Sequence, residues 1–311
     1  TAWRRTPRGL IFKNFVFETH DTLYSDFLVK NKLSNSVIMT EKKEEIDRAM
    51  KEKLAPKQFV KTPINGTKFA ILVSSAKGGV GKSTVAINLA FALQNLGLKI
   101  GILDADVYGP SLPKLINLNE KPKSEDGKAM IPLEKYGAQC MSMGFLVDEQ
   151  TPMIWRGPMV ISALKTMTQK VLWKDRDVII IDMPPGTGDA QLTFAQEVKI
   201  DGAIIVSTPQ DLALLDVKRG IQMFDKTGVK ILGLIDNMSF FKGDDGKEYK
   251  IFGEGGVEKT AKEFNKEFLG HLPLHQDLRS SADKGDPLTY SDPDHEVSKL
   301  FKGIAEKIKQ S

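Results

Sequence analysis

Ten residues from Ser75 to Thr84, Ser-Ala-Lys-Gly-Gly-Val-Gly-Lys-Ser-Thr, bring flexible backbone, two cations and several hydroxyls into one tight run. Glycines at 78, 79 and 81 allow consecutive N–H groups to converge on one anion, the chemistry of a phosphate-cradling loop. An apolar segment of strand length precedes the run and a helical one follows it, so the helix adds the positive end of its dipole. Gly78, Gly79, Val80 and Gly81 are thus expected to wrap nucleotide phosphates. Lys82 then reaches the β- and γ-phosphates, Ser83 offers its hydroxyl to Mg2+, and Thr84 faces the α-phosphate side. Ala76 stands where the strict G-x-x-x-x-G-K-[ST] pattern has its first glycine, and Lys77 adds a second lysine.

Two further stretches supply acids. Leu103-Asp104-Ala105-Asp106-Val107-Tyr108-Gly109-Pro110-Ser111 ends an apolar run with two carboxylates, placing them at the strand edge where open α/β sheets bind ligands. One can serve Mg2+ and the other the attacking water. Val178-Ile179-Ile180-Ile181-Asp182 is a buried-strand pattern ending in an acid, followed by Met183-Pro184-Pro185-Gly186-Thr187-Gly188-Asp189. Asp182 is expected to hold the metal through water, and the Pro/Gly segment to change shape when the γ-phosphate is lost.

These side chains need a scaffold that brings distant strand ends together. Apolar runs at 69–73, 100–103, 178–181, 203–206, 231–235 and 268–272 alternate with helical spacing at 84–96, 212–226, 257–264 and 296–308. Strands this apolar are covered on both faces, which predicts a doubly wound, mainly parallel α/β sheet over residues 66–311. Residues 1–65 read differently. Arg4, Arg5, Arg8 and Lys13 come before any acid, and a charged stretch leads into Pro56 and Pro63. This part is expected to be a poorly packed extension with one short helix; it is rich in Arg like a transit peptide but has few serines. Met39 is an alternative start.

With 311 residues, 41% of them hydrophobic and 27% charged, the chain has the apolar content of a folded protein, which excludes global disorder. A net charge of +4 is too small to indicate a nucleic-acid partner without a local basic patch. No apolar run has the ~18 residues of a membrane span. The single cysteine, Cys140, rules out an internal disulfide and limits thiolate metal chemistry. A cytoplasmic location is expected, with the mitochondrial matrix as the alternative.

The lysine-bearing loop resembles the deviant Walker A of the MinD/ParA/Mrp ATPases. Together with D-A-D-V-Y-G-P-S, Met141-Ser142-Met143-Gly144-Phe145, Trp155-Arg156-Gly157-Pro158-Met159, D-M-P-P-G-T-G-D and Asn237-Met238-Ser239, it resembles the Mrp/ApbC proteins, P-loop ATPases described as iron-sulfur cluster carriers. The resemblance covers about Lys68 to Lys309. It implies a homodimer in which Lys77 crosses to the partner's nucleotide, Asp106 positions the attacking water, Asp104 lies on the Mg2+ side and Asn237 recognises adenine. It also implies a [4Fe-4S] cluster bridging two subunits, bound by a C-P-x-C pair after N-M-S-Y-F. Here Asn237-Met238-Ser239-Phe240-Phe241 runs into Lys242-Gly243-Asp244-Asp245-Gly246-Lys247 without a cysteine. Cys140 reads as a buried strand thiol.

Two remaining features take ordinary roles. His271 and His275 are separated by Pro273 and cannot share a helix face, so no zinc site is expected there. Val297, Leu300, Phe301, Ile304 and Ile308 form an apolar stripe among lysines, read as packing on the sheet rather than as a MinD-like membrane helix. The expected function is ATP hydrolysis by a homodimer acting with apoprotein or assembly clients in iron-sulfur cluster carriage. The alternative is a MinD/ParA-like positioning or scaffold ATPase without a cluster.

Overall fold

The structure, a computed structural model, describes residues 61–311 apart from 126, 128 and 147–156. Most of the expected 1–65 extension, and Trp155 and Arg156 of the W-R-G-P-M motif, lie outside the described residues. Chain contacts divide the protein into Thr1–Gln58 and Phe59–Ser311, and residues 61–65 are tied to the second of these. The reason is local: Ile64 is buried, and Thr62 makes a parallel bridge to Val198, accepting from the Lys199 N–H at 2.9 Å.

Eight strands form the main sheet. In chain order they are β1 (Thr67–Ser74), β2 (Ile100–Asp104), β5 (Leu133–Lys135), β6 (Ala138–Ser142), β7 (Arg176–Asp182), β8 (Gly202–Ser207), β9 (Ile231–Asp236) and β12 (Phe268–His271). Two small ribbons, β3 (Ser124–Glu125) with β4 (Ala129–Met130) and β10 (Phe241–Lys242) with β11 (Glu248–Tyr249), stand apart from it. The spatial order is β12-β9-β8-β1-β7-β2-β6-β5, and every pairing is parallel except β5 with β6. The sheet is the expected mainly parallel one with flanking helices, and its core strands carry the buried Val, Ile and Leu runs read from the sequence. The antiparallel edge hairpin was not expected. Its two-residue loop, Tyr136-Gly137, has φ of 54° and 80°, the signature of a type I′ turn matched to strand twist.

The helices are α1 (Lys82–Asn95), α2 (Leu112–Leu115), α3 (Gly157–Gln169), α4 (Asp189–Glu197), α5 (Asp211–Thr227), α6 (Gly256–Glu263), α7 (Gln276–Lys284), α8 (Leu288–Ser291) and α9 (Glu296–Gln310). Helix α1 is buried nearly all round because the sheet lies on one side and α9 on the other. Four of the five stripe residues of α9, Val297, Phe301, Ile304 and Ile308, are buried in that contact, while Leu300 is exposed. No helix among the described residues is long and apolar enough to cross a membrane.

This topology positions the site. Strand β1 lies between β7 and β8, and β7 lies between β1 and β2, so the chain leaves three neighbouring strands at one edge. Asp104 and Asp182 are register partners at the ends of β2 and β7.

Candidate nucleotide site

The loop between β1 and α1 is shaped by backbone that only glycine adopts freely. Gly81 caps α1 at φ 78°, and a Cβ there would lie 2.5 Å from the Asn237 side-chain nitrogen, so both conformation and space demand glycine. The loop encloses a cleft of about 230 Å3 lined by Ser75, Gly78, Gly79, Gly81, Lys82, Ser83, Thr84, Asp106 and Pro185. Val80 is buried behind it. Lys77 is partly exposed and makes no ion pair with another described residue.

Lys82 is almost wholly buried and is paired with one carboxylate oxygen of Asp182. Its ammonium also lies 3.3 Å from the Ser83 hydroxyl. The second oxygen of Asp182, Oδ2, is buried without a partner. A cation in this setting is retained because its counter-charge is equally buried. An orphaned carboxylate oxygen beside a hydroxyl is suited to a hydrated cation.

The two acids after β2 do different work. Asp104 accepts from the N–H groups of Asp106 (3.1 Å), Ser111 (2.9 Å) and Leu112 (3.0 Å), and from the Ser142 hydroxyl (2.9 Å). Burial, then the Asp182 carboxylate, pushes it up to about 7 against those donors. Asp104, expected on the Mg2+ side, thus spends both oxygens on fixing the chain that follows it. Asp106 lines the cleft and accepts from the Tyr108 N–H at 3.2 Å. Burial raises its pKa, opposed chiefly by the Lys82 cation. Ser142 belongs to a motif quoted from the sequence, but its bond to Asp104 was not expected. The spacing of 38 residues gives no local signal.

Asn237 follows β9, with its own N–H bonded to the Ser207 carbonyl at 2.7 Å. Its amide donates to the Val80 carbonyl at 2.8 Å, while Oδ1 is buried without a partner. One acceptor and the remaining amide hydrogen therefore have no partner among the described residues. Beside it opens a cavity of about 560 Å3, walled by Gly109, Ser111, Lys114, Pro273, Leu274, Leu278 and Arg279 among others. This wall has little signal in the sequence, because α7 is polar along most of its length, with Leu278 its main buried apolar residue.

His275, itself part of that wall, lies with Asp277 and His295 close enough to share an ion. Their hydrogen bonds say otherwise. The Nδ1 atoms of His275 and His295 accept from the Asp277 and Val297 N–H groups at 3.2 and 3.1 Å, so the neutral rings carry their protons on Nε2. A ligating histidine would donate through its other nitrogen instead. The Nε2 atoms face Glu296 and Asp277, each at 3.3 Å. Each histidine thus caps its own helix, α7 or α9, and bonds the first-turn acid of the other. His271 pairs elsewhere, with its Nδ1 3.2 Å from buried Asp236.

Cys140 lies in β6, wholly buried, and burial pushes its thiol up to about 12. The segment after Asn237-Met238-Ser239 forms the β10–β11 ribbon, whose turn is held by Asp245 accepting from the Lys247 N–H at 3.0 Å and the Tyr249 hydroxyl at 2.9 Å.

The family ParA, described as NUBPL iron-transfer P-loop NTPase, matches residues 66–309. The chain belongs to that family. It is 51% identical over 247 residues to the Arabidopsis thaliana protein named iron-sulfur protein required for NADH dehydrogenase, mitochondrial, covering 79% of each chain. It is 46% identical over 267 residues to the iron-sulfur cluster carrier protein of Escherichia coli K12, covering 85% of this chain and 72% of the relative. Among solved structures, the nucleotide-binding protein of Archaeoglobus fulgidus in complex with ADP is 37% identical with a TM-score of 0.65, over 73% of this chain and 90% of that one. As a family member the chain is a nucleotide-binding P-loop NTPase of the kind the sequence motifs implied.

Proposed function

We propose that this chain binds ATP with Mg2+ at residues 78–84 and hydrolyses it as a homodimer serving iron-sulfur cluster carriage or assembly. The observation that carries the nucleotide half is the buried Lys82–Asp182 pair flooring an open cleft, with Asp106 on its wall. Backbone N–H groups of the glycine loop and the start of α1 take up the phosphate charge, and Lys82 turns from Asp182 to the β- and γ-phosphates. Ser83 and the unpartnered oxygen of Asp182 are the groups that would hold Mg2+, which when bound neutralises charge on the phosphate oxygens. Asp106 orients water for in-line attack; a bond forms from water to the γ-phosphorus, the β–γ bridge breaks, and ADP and phosphate leave. Asp104 keeps Asp106 and the following loop in place. Asn237 offers its Oδ1 acceptor to the amino group of adenine, and Lys77, which pairs with no other described residue, completes the partner's site.

The relatives' names support the iron-sulfur half. This chain's own thiol does not fit a cluster: clusters take several thiolates, and Cys140 is single, buried and held in the thiol form. We infer that cluster ligands come from a client or assembly partner. The same observation favours a second reading, a nucleotide-gated positioning or scaffold ATPase without a cluster. Iron and acid-labile sulfide measured after anaerobic reconstitution, for the wild type and Cys140→Ala, test the inference. The expected result is little iron in either protein alone, with phosphate release intact. A stoichiometric cluster lost in Cys140→Ala overturns it. If iron stays low even with thiol-bearing clients present, the scaffold reading replaces the carrier.

A further inference from the structure

The loop after Asp182 contains Pro184 and Pro185, which have no N–H to donate and a fixed φ. No backbone N–H among the described residues bonds either proline carbonyl. Both are taken by one side chain: the Gln191 amide nitrogen lies 3.2 Å from the Pro184 carbonyl and 2.9 Å from that of Pro185. A primary amide has two hydrogens on one nitrogen and can serve both acceptors at once. Gln191 is buried in the first turn of α4, next to Phe194 and Ala195, which anchor that helix in the core. The restrained segment reaches the chemistry directly. Pro185 lines the phosphate cleft against Gly78, and the Gly186 N–H bonds the Ser75 carbonyl at 2.8 Å.

We propose that Gln191 is a positioning residue for phosphoryl cleavage: its amide clamps the Pro184–Pro185 turn and so holds Pro185 at the cleft. The inference rests on the ATP-hydrolysis reading above. Gln191 touches neither nucleotide nor water in this role. It fixes the loop that starts at Asp182, and it links that loop to α4, which packs against α3 and α5. A nucleotide with or without its terminal phosphate presents different bulk to Pro185, and the clamp passes that difference to the helix layer.

Two variants separate the clamp from mere packing. Gln191→Met keeps the length and removes both donors, while Gln191→Glu removes the donors and sets a negative charge against two carbonyls. In Gln191→Met, kcat should fall about tenfold or more while KM for ATP and the affinity for ADP stay within about twofold, and Gln191→Glu should lose more. Hydrogen exchange of the amides of Met183 and residues 186–188 in the ADP complex, independent of turnover, should be about tenfold faster in Gln191→Met. Wild-type kcat with unchanged amide exchange overturns the clamp, as does a parallel loss of kcat and ADP affinity from general unfolding. If the wild type itself does not hydrolyse ATP, the function reading fails, and the exchange rates still decide whether Gln191 holds the loop.

Discussion

The strand edge that carries Lys82, Asp104, Asp106 and Asp182 and the ribbon at 241–249 handle charge in opposite ways. At the edge all four side chains are buried, and each is bonded to a specific partner from another element or from its own loop. In the ribbon Lys242, Asp245 and Lys247 are largely exposed, and the fold is kept by a turn and by the Lys242–Glu296 pair at 3.4 Å. Buried polar groups are strong only as a complete set, so the edge tolerates few changes. Solvent supports the ribbon's charges individually. The family resemblance implies a thiolate pair at this place, where the chain has a cysteine-free ribbon on the surface; the nucleotide machinery is buried and interlocked. A chain of this design can alter its ribbon without disturbing its phosphate side.

The largest effect that would expose this contrast is expected from Lys82→Ala. It removes the phosphate cation and leaves Asp182 buried and uncompensated, so ATP turnover should fall below detection and stability by about 3–5 kcal/mol. Phosphate release and urea melts measure the two losses. Normal turnover would sink the site assignment.

An intermediate effect belongs to Asp236, which ends β9 between the two regions and is buried against His271, with Glu258 the further charge nearby. Burial raises it to about 6, opposed by His271. A carboxylate raised in the fold contributes stability that is complete below its unfolded value, about 3.9, and is lost as pH rises through about 6. Asp236→Asn should therefore flatten the stability profile between those values, where the slope reaches up to about 1.4 kcal/mol per pH unit. Urea melts across that range check the slope; an unchanged profile would mean the carboxylate is not held neutral.

The smallest effect is expected from Lys242→Ala, which cuts an exposed pair. Stability should move by no more than about 0.5 kcal/mol and phosphate release by less than about twofold. A tenfold loss of turnover would show that ribbon and edge are coupled and would end the comparison.

Much of this arrangement was legible in the residues, for identifiable reasons. The strands at 67–74, 100–104, 176–182, 202–207 and 231–236 are continuous apolar runs because both sheet faces are covered, and such runs stand out in a sequence. The helices α3, α4 and α7 were not read, and neither was the antiparallel β5 edge. Helix α7 buries Leu278 and Ser281 and exposes much of its polar surface, which leaves little periodicity to detect. The glycine loop was plain because its function restricts residue type within ten consecutive positions. Ser142, Gln191 and the wall of the cavity at Asn237 were not, since their partners lie elsewhere along the chain or beyond a loop.

The sequence by itself determined the phosphate loop, the apolar strands that make up most of the sheet, and the lack of a second thiol, because each is local: a run, a period or a count. The tertiary structure decided which of Asp104 and Asp106 faces the cleft, that Lys82 rests on Asp182, and that one amide holds two prolines. Those outcomes depend on which strand ends become neighbours in the sheet and on which buried polar atoms find partners there, and neither quantity is written in any short stretch of residues.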